Sequence, residues 1–357
     1  MTFSTRKLAL GGLALLGTVT MLAGCSAAPS SSSASGSKSD FLPCMVSDNG
    51  GFDDHSFNQL GYDGLQDAAK SLGVTPKTVQ STDSNDYNPN IRTLLSQKCS
   101  LIVTVGFNLE AATKSNAASN AKTNFAIIDD TLQSKNIKPI TFDTSQAAFL
   151  GGYAAASYSK TGVVGTFGGQ KLPTVTIYMD GFYDGVQYYN QQHGKDVKVV
   201  GWNEKTQQGS FTGGFSAGTQ AKSVAQSLLD QNADVIFPVG GPIYQSAAEA
   251  INDAKNGSVL IGADSDLYTA DPRYKSIALT SVLKGIRQAT TSVVETAGKG
   301  KYSNAPYVGT LKNDGVGLAP FHDYSSKVDS SLAGELKTIK AGIISGKIKV
   351  ATQSNVK

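Results

Sequence analysis

Short apolar runs alternate along the chain with longer stretches in which apolar positions recur at helical spacing. In the first half the runs span residues 41–47, 78–81, 101–105 and 125–128, and the helical stretches span 56–72, 88–97 and 110–121. The second half repeats this order, with runs at 163–167, 197–202, 235–239 and 259–263 and helical stretches at 174–192, 219–231 and 243–255. Runs this apolar predict parallel strands that are covered on both faces. The pattern therefore predicts an α/β fold in which a doubly wound parallel sheet occurs twice.

Two such sheets predict two lobes joined by a hinge. We expect the first lobe to contain residues 41–141 and about 284–306, and the second to contain residues 142–283 and about 307–357. A helix at 286–298 would return the chain to the first lobe. Lobes of this kind can close on a ligand, and ligands bind outside the carboxyl ends of strands in open α/β sheets. The cleft between the lobes is therefore the predicted binding site.

The first 25 residues predict a secretory leader that ends in a lipid anchor. Two basic residues precede an uncharged run, 8–21, which is too short to span a bilayer as a helix. Small residues follow, so we interpret residues 1–24 as a signal peptide. Leu-Ala-Gly-Cys at 22–25 resembles the bacterial lipobox, in which the thiol (here Cys25) is acylated and holds the protein at a membrane surface. Residues 25–40 are then the lipidated cysteine and a flexible Ser-rich linker.

The charge balance argues against a nucleic-acid partner. The chain has 31 basic and 28 acidic residues, and the leader contains two of the basic residues and none of the acidic ones. Removal of the leader therefore lowers the formal net charge from +3 to +1. A nearly neutral chain without a basic run lacks the electrostatic footprint of a nucleic-acid-binding protein, so we expect a small ligand.

Two cysteines lie beyond the leader, Cys44 in the first predicted strand and Cys99 just before another. Outside the cytoplasm they could form a disulfide if their strands are neighbours. Alternatively, both are buried thiols that act as small apolar side chains. The geometry decides between these alternatives, which the sequence leaves open.

Polar and aromatic side chains follow the predicted strands at their carboxyl ends. Asp48 follows the first strand, and Phe57 and Asn58 open the next helix after Asp54 and Ser56, either of which can serve simply as its cap. Further candidates at strand ends are Asp129, Phe237, Gly240, Gly241, Asp264 and Lys284. Aromatic faces stack on flat groups, and carboxylates accept hydrogen bonds from hydroxyl and ring N–H groups. This inventory suits a nucleoside, although a free sugar would use the same groups.

Neither catalysis nor a bound cofactor is indicated. The three histidines, His55, His193 and His322, lack metal-ligand spacing with a cysteine or with one another. The adjacency of Asp54, His55 and Ser56 in the sequence does not establish a catalytic triad. We therefore expect a binding protein without a metal or cofactor rather than an enzyme.

The loop after the first strand is the strongest of several family motifs. Val-Ser-Asp-Asn-Gly-Gly-Phe-Asp-Asp at 46–54 with Ser-Phe-Asn-Gln at 56–59 resembles the opening signature of the basic membrane protein family, the nucleoside-binding lipoproteins of ABC transporters. Further matches follow in order at 105–107, 125–129, 149–155, 167–169, 181–185, 233–241, 261–266, 280–284 and 313–319. The resemblance implies the two-lobed fold of type I periplasmic-binding proteins.

The resemblance implies that two aromatic rings, Phe57 and Phe237, enclose a purine ring from opposite lobes. Phe211 is a second candidate for the aromatic partner. The chain departs from the family pattern at Gly240, where an alanine is common, and at 242–244, where Pro-Ile-Tyr replaces a Gly-Thr-Gly stretch. A stiffer, bulkier loop at 242–244 could alter which nucleoside fits.

The resemblance also implies roles for the polar candidates. Asp48, Asn58 and Asp129 would hydrogen-bond the base. Asp264 and Lys284 would hold the ribose hydroxyls.

We thus expect a monomeric, lipid-anchored solute-binding protein outside the cytoplasm that delivers a purine nucleoside to an ABC permease. One alternative is the same scaffold with a sugar or another small metabolite as its ligand. A second is a ligand-gated signalling receptor, and a third is an extracellular nucleoside hydrolase.

Overall fold

The computed structural model describes residues 40–354. The predicted signal peptide, Cys25 and the rest of the predicted linker before residue 40 lie outside the described residues, so their assignments stay predictions. Within the described range, no helix combines the length and the apolar character that crossing a bilayer requires.

Strands and helices alternate along the described chain. The strands are β1 (Pro43–Val46), β2 (Lys77–Val79), β3 (Leu101–Val105), β4 (Asn124–Ile128), β5 (Ile137–Phe142), β6 (Val163–Gly168), β7 (Lys198–Val200), β8 (Trp202–Asn203), β9 (Gln208–Gly209), β10 (Val235–Val239), β11 (Val259–Asp264), β12 (Ala278–Lys284), β13 (Tyr307–Gly309) and β14 (Val316–Leu318). The α-helices are α1 (Phe57–Leu72), α2 (Tyr87–Ser96), α3 (Glu110–Ser119), α4 (Thr144–Tyr158), α5 (Pro173–His193), α6 (Thr219–Leu229), α7 (Ile243–Ala254), α8 (Leu267–Ala270), α9 (Ile286–Gly298) and α10 (Leu332–Ile344).

The strands form two six-stranded sheets and a separate β8–β9 hairpin. The first sheet has the order β13-β5-β4-β3-β1-β2, and the second has the order β14-β12-β11-β10-β6-β7. Neighbouring strands in the two sheets are parallel except for β12 and β14. The predicted α/β fold with two doubly wound lobes is therefore confirmed.

Central strands such as β3 and β10 are almost entirely apolar because helices cover both faces of each sheet. Every residue of β3 and of β10 is buried. In the second lobe, α4 and α5 approach so closely that a Cβ at Gly152 would lie 2.0 Å from the Phe182 carbonyl oxygen. A Cβ at Gly185 would lie equally close, 2.0 Å, to the Phe149 carbonyl oxygen. Only glycine permits this contact.

Within residues 40–354 the chain crosses between the sheets after β5, after β12 and after β13. The three connections lie side by side. The Asp143 amide donates to the Gly309 carbonyl and the Gly285 amide donates to the Gly315 carbonyl, each over 2.8 Å. A Cβ on Gly315 would lie 2.3 Å from the Gly309 Cα atom, so the two ends of the connection after β13 touch backbone to backbone. Three adjacent connections of this kind are typical of a hinge between two lobes.

The predicted lobe boundary at about residue 307 is corrected by the position of β13. The sequence assigns 307–357 to the second lobe, but β13 pairs with β5 in the first sheet, with Tyr307 opposite Ile140. A three-residue strand is too short for hydrophobic periodicity to indicate its partner. After β13 the chain returns to the second sheet, which it rejoins at β14. As predicted, α9 returns to the first lobe, where Arg287 pairs with Asp67 on α1 over 2.6 Å.

Cys44 and Cys99 form a disulfide, with their sulfur atoms 1.99 Å and their Cα atoms 6.0 Å apart. Cys44 lies in β1, and Cys99 lies just before β3, the neighbouring strand. The structure thus selects the first of the two alternatives that the sequence leaves open.

Candidate ligand-binding site

A cavity of about 590 Å³, its mouth included, lies between the carboxyl ends of the strands of the two sheets. Most of the predicted ligand-binding residues line it, namely Asp48, Phe57, Asn58, Asp129, Gly240, Gly241, Asp264 and Lys284. Phe237 does not line it. Residues from distant parts of the chain converge here because parallel strands end at the same edge of each sheet.

Asp48 and Asn58 form a buried polar pair in the first lobe. The Asn58 amide group donates to Asp48 Oδ1 over 2.7 Å, and the Asp48 backbone amide donates to Asn58 Oδ1 over 3.3 Å. The Gly50 amide also donates to Asp48 Oδ1 over 3.0 Å. Burial nevertheless raises the pKa of Asp48 to about 6, because desolvation outweighs these hydrogen bonds. The pair presents both an acceptor and an amide to the cavity.

Asp54 is the residue that caps α1. Its carboxylate accepts hydrogen bonds from the backbone amides of Ser56 at 2.9 Å, Asn58 at 2.9 Å and Gln59 at 3.0 Å. Two of these amides lie in the first turn of the helix, where they lack helical partners. Because the helix begins at Phe57, the cap fixes the point at which the Phe57 ring reaches the cavity.

Lys284 joins the two lobes at the cavity. It is the last residue of β12 in the second sheet, and its ammonium group donates to Asp129, which follows β4 in the first sheet. The same ammonium lies 3.8 Å from Asp264 Oδ1. Only 3% of the Lys284 side chain is exposed, so two carboxylates share one buried cation. Asp264 also accepts a hydrogen bond from the Tyr178 hydroxyl.

Asp129 and Asp264 share a left-handed backbone conformation, with φ of 63° and 67°. Aspartate is one of the few residue types that adopt it readily, and such strain clusters at functional sites. Each aspartate stands at the carboxyl end of a strand, so the turn brings its carboxylate to the cavity wall. Burial raises the pKa of Asp129, and the adjacent Lys284 ammonium opposes that rise.

Phe57 is half-buried and contributes an aromatic face from the first lobe. The Lys284 ammonium lies 5.2 Å from the centre of its ring, within range of a cation–π interaction. The Lys284 ammonium therefore helps to hold the Phe57 ring in place. The ring remains part of the cavity wall.

Phe237 belongs to the core of the second lobe and not to the cavity wall, which corrects its predicted position. It is fully buried, with its ring centre 5.3 Å from that of Phe182 and 6.1 Å from that of Tyr178. The physical reason is its place in β10, two residues before the strand ends at Val239. At that depth the side chain packs under α5.

Two aromatic residues of the second lobe line the cavity, Phe215 and the buried Tyr178. The Phe215 ring lies on the backbone of two glycines, since a Cβ on Gly169 or Gly240 would lie 2.4 Å or 2.7 Å from Phe215 Cδ1. The sequence analysis missed Phe215, and only the flanking pair of glycines at 213–214 marked the segment. The other candidate, Phe211, does not line the cavity and packs edge-on against Trp202, with ring centres 6.1 Å apart.

The two lobes touch at the rim of the cavity. The Ser265 hydroxyl donates to the His55 carbonyl over 2.9 Å, and the Ser56 hydroxyl donates to the Ala263 carbonyl over 3.4 Å. His55 and Ser56 belong to the first lobe, and Ala263 and Ser265 belong to the second. Hydrogen bonds therefore hold the two lobes together at this point of the rim, as in a closed cleft.

A family model described as ABC transporter substrate-binding protein PnrA-like matches residues 41–354. Over 366 residues the chain is 28% identical to a protein of Lactococcus lactis subsp. cremoris named ABC transporter nucleoside-binding protein BmpA, and the match covers 98% of this chain and 99% of that protein. It is also 30% identical over 332 residues to a protein of Listeria monocytogenes named CD4+ T-cell-stimulating antigen, with 88% of this chain and 89% of that protein covered.

Among solved structures, an ABC transporter system solute-binding protein from Aeropyrum pernix K1 superimposes with a TM-score of 0.77. The two chains are 24% identical, and the match covers 88% of this chain and 94% of the other. At this identity the likeness supports the fold alone.

Proposed function

This chain belongs to the PnrA-like family of ABC transporter substrate-binding proteins, and from that membership we propose that it binds a purine nucleoside in its cleft and delivers it to a membrane permease. The family membership confirms the resemblance seen in the sequence. It also identifies the chain as a substrate-binding component of a transporter rather than a member of an enzyme family.

The observation that carries the proposal is the pair of aromatic rings, Phe57 from one lobe and Phe215 from the other, in the wall of a single cavity. A flat base that enters the cleft would have one ring stacked on each of its two faces. Stacking on aromatic side chains contributes about 1–3 kcal/mol per base to the binding free energy. Because the rings belong to different lobes, a bound base favours the closed form over the open one. Phe215 here takes the role that the sequence analysis gave to Phe237.

The polar residues divide between base and sugar. Asp48, Asn58 and Asp129 lie on the first lobe with Phe57 and suit the N–H and carbonyl groups of a base. Asp264 is held by Tyr178 and Lys284, and its carboxylate suits a pair of ribose hydroxyls. Such charge-assisted bonds are stronger than bonds between neutral groups.

The charges of the cavity favour a nucleoside over a nucleotide. Its charged lining residues comprise Asp48, Asp54, Asp129, Asp264 and Lys284, so carboxylates outnumber the single cation. A phosphate group would add negative charge in a desolvated site with few cations to pair with it. The ligand that we propose is therefore uncharged.

The location and partners follow from the sequence. We infer a lipid anchor at Cys25, a tether that ends near residue 40, and a binding unit that works as a monomer at the outer face of the membrane. Closure around the nucleoside would present one fixed surface to the permease.

Isothermal calorimetry of the Cys25→Ser protein tests the proposal. The titrants are inosine, guanosine, adenosine, cytidine, uridine, the free base hypoxanthine, ribose, and inosine 5′-monophosphate. We expect purine nucleosides to bind most tightly and the monophosphate to bind at least 100-fold more weakly than inosine. A preference for ribose would support the sugar alternative, and the appearance of free hypoxanthine after incubation with inosine would support hydrolysis.

A further inference from the structure

Residues 351–354, which we call the clamp segment, lie against helix α5 and meet a buried carboxylate outside the cavity. Asp180 is fully buried, and its Oδ2 atom accepts hydrogen bonds from the Thr352 hydroxyl at 2.8 Å and the Gln353 backbone amide at 3.1 Å. Neither Asp180 nor the clamp segment lines the cavity. Direct contact with a ligand in the cleft therefore does not explain this arrangement.

The other oxygen of the same carboxylate holds the β8–β9 hairpin. Asp180 Oδ1 accepts from Trp202 Nε1 at 3.1 Å and from Gln207 Nε2 at 2.8 Å. The Gln353 side chain also donates directly to the Glu204 carbonyl in the hairpin turn, over 3.0 Å. One buried carboxylate thus joins helix α5, the hairpin and the clamp segment. Each of these bonds matters, because a buried carboxylate that loses a donor bears an uncompensated desolvation cost.

The hairpin leads directly into the segment that carries Phe215. The Ser210 carbonyl accepts from the Gly168 amide, and the Thr212 amide donates to the Gly168 carbonyl, each over 3.0 Å. The Phe215 ring then lies on Gly169, where a Cβ would come within 2.4 Å of it. A shift of the hairpin would therefore move the backbone of residues 210–214 and, with it, the position of the Phe215 ring in the cavity wall.

We propose that Asp180 and the clamp segment are positioning residues for the ligand, which fix the hairpin and through it the Phe215 ring. The role of Phe215 as a stacking platform rests on the proposed function, whereas the attachment of the hairpin does not. The clamp therefore acts on the affinity for the base without any contact with the base.

The first test compares Thr352→Val, which removes one donor to Asp180, with Thr338→Val as a matched control. Thr338 is exposed on α10, and its hydroxyl donates only within that helix, to the Gly334 carbonyl at 3.0 Å. Trp202 is the single tryptophan of the chain, so its fluorescence reports on the hairpin alone. We expect Thr352→Val to shift the Trp202 emission and to speed hydrogen exchange of the hairpin amides at least 10-fold, and we expect no change in Thr338→Val.

The second test is a double-mutant cycle with inosine as the probe. Thr352→Val should weaken inosine binding 3- to 10-fold in the wild-type background. In the Phe215→Ala background the same substitution should weaken binding less than 2-fold, because the ring through which it acts is absent. Equal weakening in both backgrounds would overturn the positioning role.

The two proposals fail in different ways. If no nucleoside binds to the wild-type protein, the proposed function is wrong, and the clamp is then judged on Trp202 emission and amide exchange alone. Emission and exchange that stay unchanged in Thr352→Val would overturn the clamp whatever the ligand is.

Discussion

Lys284, on the second sheet, donates a hydrogen bond to Asp129, on the first, so a buried ion pair spans the cleft beside the candidate binding site. Asp264 of the second lobe shares the same ammonium at 3.8 Å. The charge that holds the lobes together thus also orients two carboxylates that line the cavity. Stability and binding are coupled at this lysine.

Substitution of Lys284 by methionine is expected to lower the free energy of unfolding by about 3 kcal/mol. The reason is that two buried carboxylates lose their cation, and removal of one partner from a buried pair typically costs about 3–5 kcal/mol. Urea denaturation of the ligand-free protein measures the change. Lys312→Met, at an exposed lysine, is the control and should stay within about 0.5 kcal/mol of the wild type. An equal decrease in the free energy of unfolding in the two variants would show that the Lys284–Asp129 pair does not stabilise the fold.

Phe57→Ala should weaken nucleoside binding by about 1–3 kcal/mol with little loss of folding stability, because in the proposed complex its half-buried ring stacks on the base. Calorimetry with inosine measures the affinity. Phe52→Ala serves as the control, since Phe52 lies in the same loop, stacks on Tyr62 with ring centres 4.9 Å apart, and does not line the cavity. A comparable loss of affinity in Phe52→Ala would argue for a loop effect rather than stacking.

The carboxylates of the site could be predicted from the sequence because they depend on local rules. Asp48, Asp129 and Asp264 each stand where an apolar run ends, and the ends of parallel strands meet at one edge of a sheet. The alternation of strands and helices, read from the same runs, was sufficient to predict both lobes.

The aromatic partner could not be predicted in the same way. The strand-end rule does not tell how deep a residue such as Phe237 lies under a covering helix. Phe215 sits in a glycine-containing segment without periodicity, and its position depends on backbone bonds to Gly168 and Gly169, more than forty residues away. The pairing of β13 with β5 is non-local for the same reason, with Tyr307 opposite Ile140.

Asp264→Asn should weaken inosine binding at least 10-fold and the free base hypoxanthine less than 2-fold. Asp264 is assigned to the ribose hydroxyls, and an amide of the same size loses the negative charge that strengthens those bonds. Calorimetry with both ligands gives the ratio. Asp253→Asn, at an exposed carboxylate on α7, should leave both affinities unchanged. Equal weakening of nucleoside and base in Asp264→Asn would remove Asp264 from the ribose role.

The stability of the ligand-free protein should depend on pH through Asp48. Burial raises its pKa from 3.8 to about 6, so between these values the folded protein holds a proton that the unfolded chain has lost. The contribution of Asp48 to stability is therefore complete below the lower value and is lost as the pH rises through the upper one. The unfolding free energy of the wild type, relative to Asp48→Asn, should fall by about 2 kcal/mol from about pH 4 to about pH 7. A flat difference across this range would contradict the buried environment of Asp48.

The crystal structure of the Cys25→Ser protein with inosine is the most direct test of the central claim, that one aromatic ring from each lobe encloses the base. We expect density for hypoxanthine between Phe57 and Phe215, and for the ribose beside Asp264 and Lys284. Inosine bound elsewhere, or in the cleft with its base away from both rings, would contradict this account of the site.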